Sequence, residues 1–272
     1  MPVDAPQTKP SASGDPSDQA AGLRRLFQRK RARVIALCGG KDGGFLAKLA
    51  SALAGQGRRV AVLDGRSAID AQQSFADLAR RDYAFDPQQF ENPVRISCRG
   101  CTEPARLSDL PPQAQSRLLD RLAAIQQASD FVLINTEQAL CDALEQVREL
   151  IVVTTPRERD VLDAYRQVKT FQALHGHAGC RVYTIIESDA DSRSGQHAAE
   201  NLIATARRFL SLPLYYLGSA KPNDQSTFGP VATRLLSTSV PSVGDVAIEA
   251  CIAHMLQTDS EFRAARPALL LQ

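Results

Sequence analysis

Apolar residues along this chain fall into short unbroken runs, separated by stretches in which they recur every three or four positions. The runs are VIALC (34–38), VAVLD (60–64), DFVLIN (130–135), LIVVTT (150–155), Val182 to Ile186 and Leu214 to Leu217, with the shorter VRIS at 94–97. Continuous apolar runs of this length, rich in β-branched residues, are what a parallel strand buried on both faces requires. The stretches between them read as helices: Phe45 to Gln56, stopped by Gly57; Arg66 to Tyr83; Gln113 to Ala128, with Leu118, Leu119, Leu122 and Ile125 on one face; a segment after Pro156 ending near Leu174; and Ser192 to Leu210. A largely apolar helix is expected from Val243 to Leu256, and the Pro-rich 102–112 is a loop. Strand alternating with helix predicts a three-layer α/β fold, a mostly parallel sheet with helices on both faces and ligands at the carboxyl ends of its strands.

Composition divides the chain further. Residues 1–17, rich in Pro, Ser, Ala and Asp, read as a disordered tail. Residues 18–31 read as a short amphipathic helix with Leu23, Leu26 and Phe27 on one face, and six of the ten residues from Arg24 to Arg33 are basic. Two readings stand for it: a solvated lead into the first strand, or a recognition helix that lays its apolar stripe and basic flank on a partner. Residues 32–260 form the α/β domain and 261–272 a C-terminal tail.

A net charge of +2 over 272 residues gives no preference for nucleic acid or membrane. The six cysteines are scattered and no long apolar run is present, so a reduced, cytoplasmic setting is expected. Cys98-Arg99-Gly100-Cys101 is half of a metal or redox motif with no second half, and no metal is expected. His175-Gly176-His177 reads as a helix end and turn.

The candidate chemistry lies at the strand ends. The first strand runs into Gly39, Gly40, Lys41, Asp42, Gly43 and Gly44, where backbone N–H groups at a helix N-terminus would cradle phosphate. A P-loop ends in Lys followed by Ser or Thr, one for the outer phosphates and one for Mg²⁺, and this loop ends in Asp42-Gly43-Gly44. Asp64 closes the second strand and Asn135 the fourth, where a nucleotide hydrolase would hold Mg²⁺ with an Asp. Arg66, Arg157 and Arg159 near the mouth serve solubility or bind an anion. Asp64, 20 residues after Gly44, also stands where a dinucleotide enzyme has its ribose acid, but Cys38, Gly40 and Gly43 give only two of the three glycines of G-x-G-x-x-G.

Several segments together resemble the MinD/ParA class of deviant P-loop ATPases, and within it the FlhG/FleN branch of flagellar-number regulators. They are the strand-loop-helix-LD unit, DFVLIN-T, VVTTP with Asp163-Ala164-Tyr165, RRFLSLPLYYLGS (207–219), and Asp18-Gln19-Ala20-Ala21-Gly22-Leu23-Arg24, which is similar to that branch's DQAxxLR helix. The resemblance spans about residues 18–260. It implies that the 18–31 helix, through Asp18, Gln19, Ala20, Leu23, Arg24 and Phe27, activates a signal-recognition-type GTPase like FlhF. Flagellar switch or transcription-regulator proteins are further partners it suggests.

Residue by residue, the resemblance places the family's signature Lys at Leu37, its phosphate Lys at Asp42, its Mg²⁺-holding Thr at Gly43, its second DxD carboxylate at Arg66, its Mg²⁺ Asp at Asn135 and its adenine-reading Asn at Glu187. With Lys, hydroxyl and carboxylates gone together, a positioned Mg²⁺ and an activated water have no route. The expectation is a pseudo-ATPase with a degenerate nucleotide site and no cofactor; residual ATP binding by a MinD/ParA-type protein is the alternative. The family's membrane-targeting tail is not evident in Arg263 to Gln272, so membrane contact is expected to be transient at most.

Overall fold

A computed structural model describes residues 32–40, 44–64, 71–98, 110–135, 146–176, 180–188 and 193–238, all in the larger of the two units into which the chain divides, Arg31–Gln272. Eight strands form one sheet in the order β3-β4-β2-β5-β1-β6-β7-β8, and every pairing in it is parallel. The strands are β1 (Arg33–Gly39), β2 (Val60–Asp64), β3 (Gln73–Ser74), β4 (Val94–Ser97), β5 (Phe131–Asn135), β6 (Glu149–Thr154), β7 (Arg181–Glu187) and β8 (Leu214–Ala220). The helices are α1 (Gly44–Gly55), α2 (Phe75–Ala79), α3 (Pro112–Ala128), α4 (Glu158–His175), α5 (Arg193–Leu210) and α6 (Phe228–Ser237), the last preceded by a single 3₁₀ turn at Gln225–Thr227.

The chain leaves central β1 toward one edge and later returns to build the other. A right-handed crossover puts its helix on opposite faces for the two directions of travel. Accordingly α1 lies on one face, whereas α3, α4 and α5, which follow crossovers in the other direction, lie with α2 on the opposite face. Alternate strand residues supply the two halves of the core. Val34, Ala36, Val132, Ile134 and Val152 meet α3–α5; Ile35, Leu37, Leu133, Ile151 and Val153 meet α1 and α6, where Phe45 and Phe228 pack edge to face at 4.7 Å. Burial on both faces is why these strands read as unbroken apolar runs.

Three elements differ from the expectation. Within the described part of the expected Arg66–Tyr83 helix, residues 71–83, the helix spans Phe75–Ala79: Ser74 and Asp77 close a capping box at its start, and Arg80 turns extended (φ −69°, ψ 145°), while Gln73 and Ser74 pair with β4. β6 begins one residue early, at Glu149, because this buried carboxylate has a partner, Arg33, whose Nε and Nη2 donate to it at 2.5–2.9 Å. α6 was not expected; Gly229 and Pro230 sit in its first turn, where a missing N–H costs nothing. α4 ends as read, at His175, with Gly176 (φ 66°) donating to the Gln172 carbonyl. The segments 1–17, 18–31, 243–256 and 261–272 lie outside the described residues.

Candidate functional site

The opposed crossovers leave a crevice around the C-terminal end of β1, the topological switch at which open parallel sheets bind ligands. On its β5 side, Asn135 closes β5 between β2 and β1, opposite Leu37 in register, with only 4 % of its surface exposed. Its side-chain amide donates to Asp64 Oδ1 at 3.0 Å. The two residues singled out at separate strand ends, 71 positions apart, are therefore one hydrogen-bonded pair.

On the β6 side the chain leaves β1 through Gly39 and Gly40, both with positive φ (79° and 81°). A Cβ on Gly39 would lie 2.1 Å from the Val153 carbonyl oxygen, so the close passage of β1 over β6 demands glycine there whether or not a phosphate binds. A Cβ built on Gly40 would meet only ordinary van der Waals contacts, the nearest Val153 Cγ1 at 3.6 Å, so its conformation rather than crowding favours glycine. Beside them a cavity of about 130 Å³ is lined by Gly39, Gly40, Val153, Thr154, Thr155 and the side chains of Asp160, Asp163, Gln167 and Glu187. Thr155 Oγ1 donates to Asp160 Oδ2 at 2.5 Å and accepts from the Arg157 N–H at 3.2 Å, which ties the first turn of α4 to the end of β6. Among the described residues, Glu187 Oε2 is buried and meets no hydrogen-bond donor.

The structure thus gathers Gly39, Gly40 and Glu187 around one cavity and sets Asp64 with Asn135 on the other side of β1; Gly44 opens α1. Lys41, Asp42, Gly43 and Arg66 lie outside the described residues, as do Asp18, Gln19, Ala20, Leu23, Arg24 and Phe27. Arg157 and Arg159 are exposed, and Cys98 is packed in the core. Sequence reasoning passed over Thr155, Asp160 and Gln167. The signal was the acidic start of α4 one turn beyond a strand end, which by itself reads as ordinary complementation of the helix dipole. Among the described residues no group of three or more His, Cys, Asp or Glu could hold a metal, and no helix is long and apolar enough to cross a membrane.

A chain of the MinC:MinD cell division protein complex of Aquifex aeolicus superposes with a TM-score of 0.53 at 14% identity, covering 77% of this chain and 98% of that one. The fold is MinD/ParA-like. MinD of the same organism gives 0.51 at 14% identity over 78% of this chain and 99% of its own. A ParA family ATPase of Chlorobium tepidum TLS gives 0.46 at 15% identity over 82% and 99%. No family model matches the sequence, and no curated protein does.

Proposed function

We propose that this chain is a FlhG-like regulator with a degenerate nucleotide site, which works by protein contact rather than by ATP turnover and uses the 18–31 helix to activate an FlhF-like GTPase. The observation that carries the first half is the Asn135–Asp64 hydrogen bond: the position where a Mg²⁺-organising carboxylate would stand holds an amide, and that amide is spent on the carboxylate that is left. The rest of the crevice is unfavourable to Mg-ATP in the same way. The described lining of the cavity beside Gly39 and Gly40 presents Asp160, Asp163 and Glu187 to an incoming phosphate and no cation.

The second half rests on the DQAAGLR segment (18–24) and its basic amphipathic continuation, at the end of the chain from which β1 departs. The test is GTP turnover by an FlhF-like GTPase in the presence of a peptide spanning Asp18 to Lys30. Stimulation by the peptide is expected, and absence of stimulation by both peptide and full-length chain overturns the reading. A second reading, residual ATP binding, draws on the positive φ of Gly39 and Gly40 at the end of β1 and on α1 opening at Gly44 shortly after them. Calorimetric titration with Mg-ATP separates the two.

A further inference from the structure

The last strand, β8, is an edge of the sheet, and a cavity of about 480 Å³ opens along it between α5 and α6. Tyr216, Leu217, Gly218 and Ser219 contribute its β8 side. An edge strand offers backbone N–H and C=O groups to any extended chain that reaches it, unless something covers them. The Ala220 carbonyl accepts from the Ser188 N–H at 3.2 Å, on the β7 side, so strand alternation turns the N–H and C=O of Ser219 toward the open edge.

One cation stands over this edge. Arg234, on α6, donates through Nη1 to the Leu217 carbonyl at 3.3 Å. The backbone makes room for it: the register with β7 shifts between Thr184 and Ile185, and Gly218 follows with φ 131°. A Cβ at Gly218 would lie 3.2 Å from Arg234 Nη1. A bulge covered by an arginine keeps an edge from pairing with another sheet. That role uses a single N–H of the guanidinium, in a long bond. Among the described residues no carboxylate pairs with Arg234. The carboxylate that lines the cavity from α5, Glu200, is already engaged by the Gln196 amide at 3.0 Å and by His197 Nδ1 at 3.6 Å.

This charge pattern defines the ligand. A planar guanidinium with donors to spare takes a carboxylate in bidentate fashion. Glu200 repels a polyanion, such as a phosphate ester or a nucleic acid, more than it repels a group of single charge. Ile203 from α5 and Pro230 and Val231 from α6 add apolar surface. A carboxylate with an apolar group beside it, and backbone amides to meet Ser219, is the end of a peptide chain.

We propose that the cavity at the β8 edge binds the free C-terminus of an extended peptide from a protein partner. Its carboxylate lies on Arg234, its last side chain against Ile203 and Val231, and its backbone continues past Ser219 as an added strand. With the carboxylate beside Leu217 and the body beside Ser219, the peptide runs antiparallel to β8. The site shares no lining residue with the cavity beside Gly39 and Gly40 and does not depend on the 18–31 helix.

The test uses the full chain and a labelled peptide Ser-Thr-Val-Thr-Val, prepared with a free C-terminal carboxylate and as the amide, followed by fluorescence anisotropy. Its β-branched residues favour an extended chain, and its last Val supplies the apolar group. The acid should bind at least about tenfold tighter than the amide, with a difference that shrinks as salt rises. Arg234→Gln should abolish the difference, and Arg234→Lys, which keeps the charge without the planar fork, should fall between it and the parent. Ile203→Glu should weaken the acid about tenfold or more. N-methylation of alternate peptide nitrogens should weaken binding for one of the two sets only, the set that faces β8. An unchanged circular dichroism melt shows that each variant keeps the fold. Failure of the acid to bind, equal binding of acid and amide, a preference that survives Arg234→Gln, or indifference to both N-methyl sets overturns the proposal. So does displacement of the peptide by an equal concentration of hexanoate, which assigns the cavity to a small free acid. A concentration-dependent dimer that Ile203→Glu abolishes likewise overturns it and assigns the edge to a second copy.

Discussion

The side-chain amide of Asn135 donates to Asp64 Oδ1 across 3.0 Å, locking the end of β5 to the end of β2. A neutral amide donates to a carboxylate here, whereas two carboxylates at this distance would repel. Asn135→Asp should therefore lower stability at neutral pH by about 1–3 kcal/mol, with the loss recovered as pH falls and one of the pair takes up a proton. Asn135→Ala should cost about 1 kcal/mol and show no such recovery. Urea melts of the two variants at pH 7 and pH 4.5 measure both; an Asn135→Asp variant as stable as the parent at pH 7 would mean that the pair is not as close as described.

Gly39 separates a structural demand from a phosphate-binding one. Gly39→Ala would push a Cβ into the Val153 carbonyl oxygen, a backbone atom within the sheet that cannot step aside, at a φ of 79°. A loss of about 3 kcal/mol or more is expected. Gly40→Ala, with only the backbone conformation against it, should cost about 1–2 kcal/mol. The two melts, taken without nucleotide, should differ clearly; equal losses would refute the packing explanation of the glycine pair.

At the opposite end of the sheet, Arg33 joins β1 to β6 and β7. It donates to Glu149 and to the Tyr183 hydroxyl, which itself donates to Glu149 Oε2 at 3.1 Å. Burial opposes the Arg33 charge, but the Glu149 carboxylate more than compensates and holds its pKa above the ordinary value. Glu149→Ala leaves that guanidinium without its anion and should cost about 3–5 kcal/mol. Burial, and then the neighbouring Glu149 charge, push the Tyr183 pKa above its ordinary 10.0. A raised folded-state pKa means that the folded chain holds this proton more tightly than the unfolded one. Its contribution to stability is thus complete below pH 10 and lost as pH rises through the folded value. Tyr183→Phe should flatten the fall in stability above pH 10 relative to the parent; parallel curves would contradict the assignment.

Much of this arrangement was legible because a parallel strand buried on both faces has a plain sequence sign. β2 and β4 fall where their runs predict, and β1, β5, β6 and β7 differ by a residue or two at their ends. The failures share a cause. Nothing local in Arg66 to Tyr83 announces that Gln73 and Ser74 pair with β4, and Gly229 with Pro230 signals a break unless the helix start is already known. The site was legible as separate strand ends, Gly39, Asp64, Asn135 and Glu187, because each closes an apolar run. That Asn135 bonds Asp64, or that Arg33 neutralises Glu149 across 116 positions, depends on strand order, which hydrophobic periodicity does not encode.

The 18–31 helix carries the partner contact in the proposed function. Leu23→Asp or Arg24→Glu should abolish stimulation of an FlhF-like GTPase while leaving the thermal melt of the chain within about 0.5 kcal/mol of the parent. A variant that melts normally and still stimulates fully would remove this helix from the account.

The most direct test of the whole is GTP turnover by an FlhF-like GTPase with the full-length chain present, measured with and without Mg-ATP. A chain that acts by contact, through a crevice whose Asp64 is held by Asn135, should stimulate equally in both. Stimulation that appears only with Mg-ATP and disappears in Asp64→Asn would contradict the account and restore the crevice as a working nucleotide site.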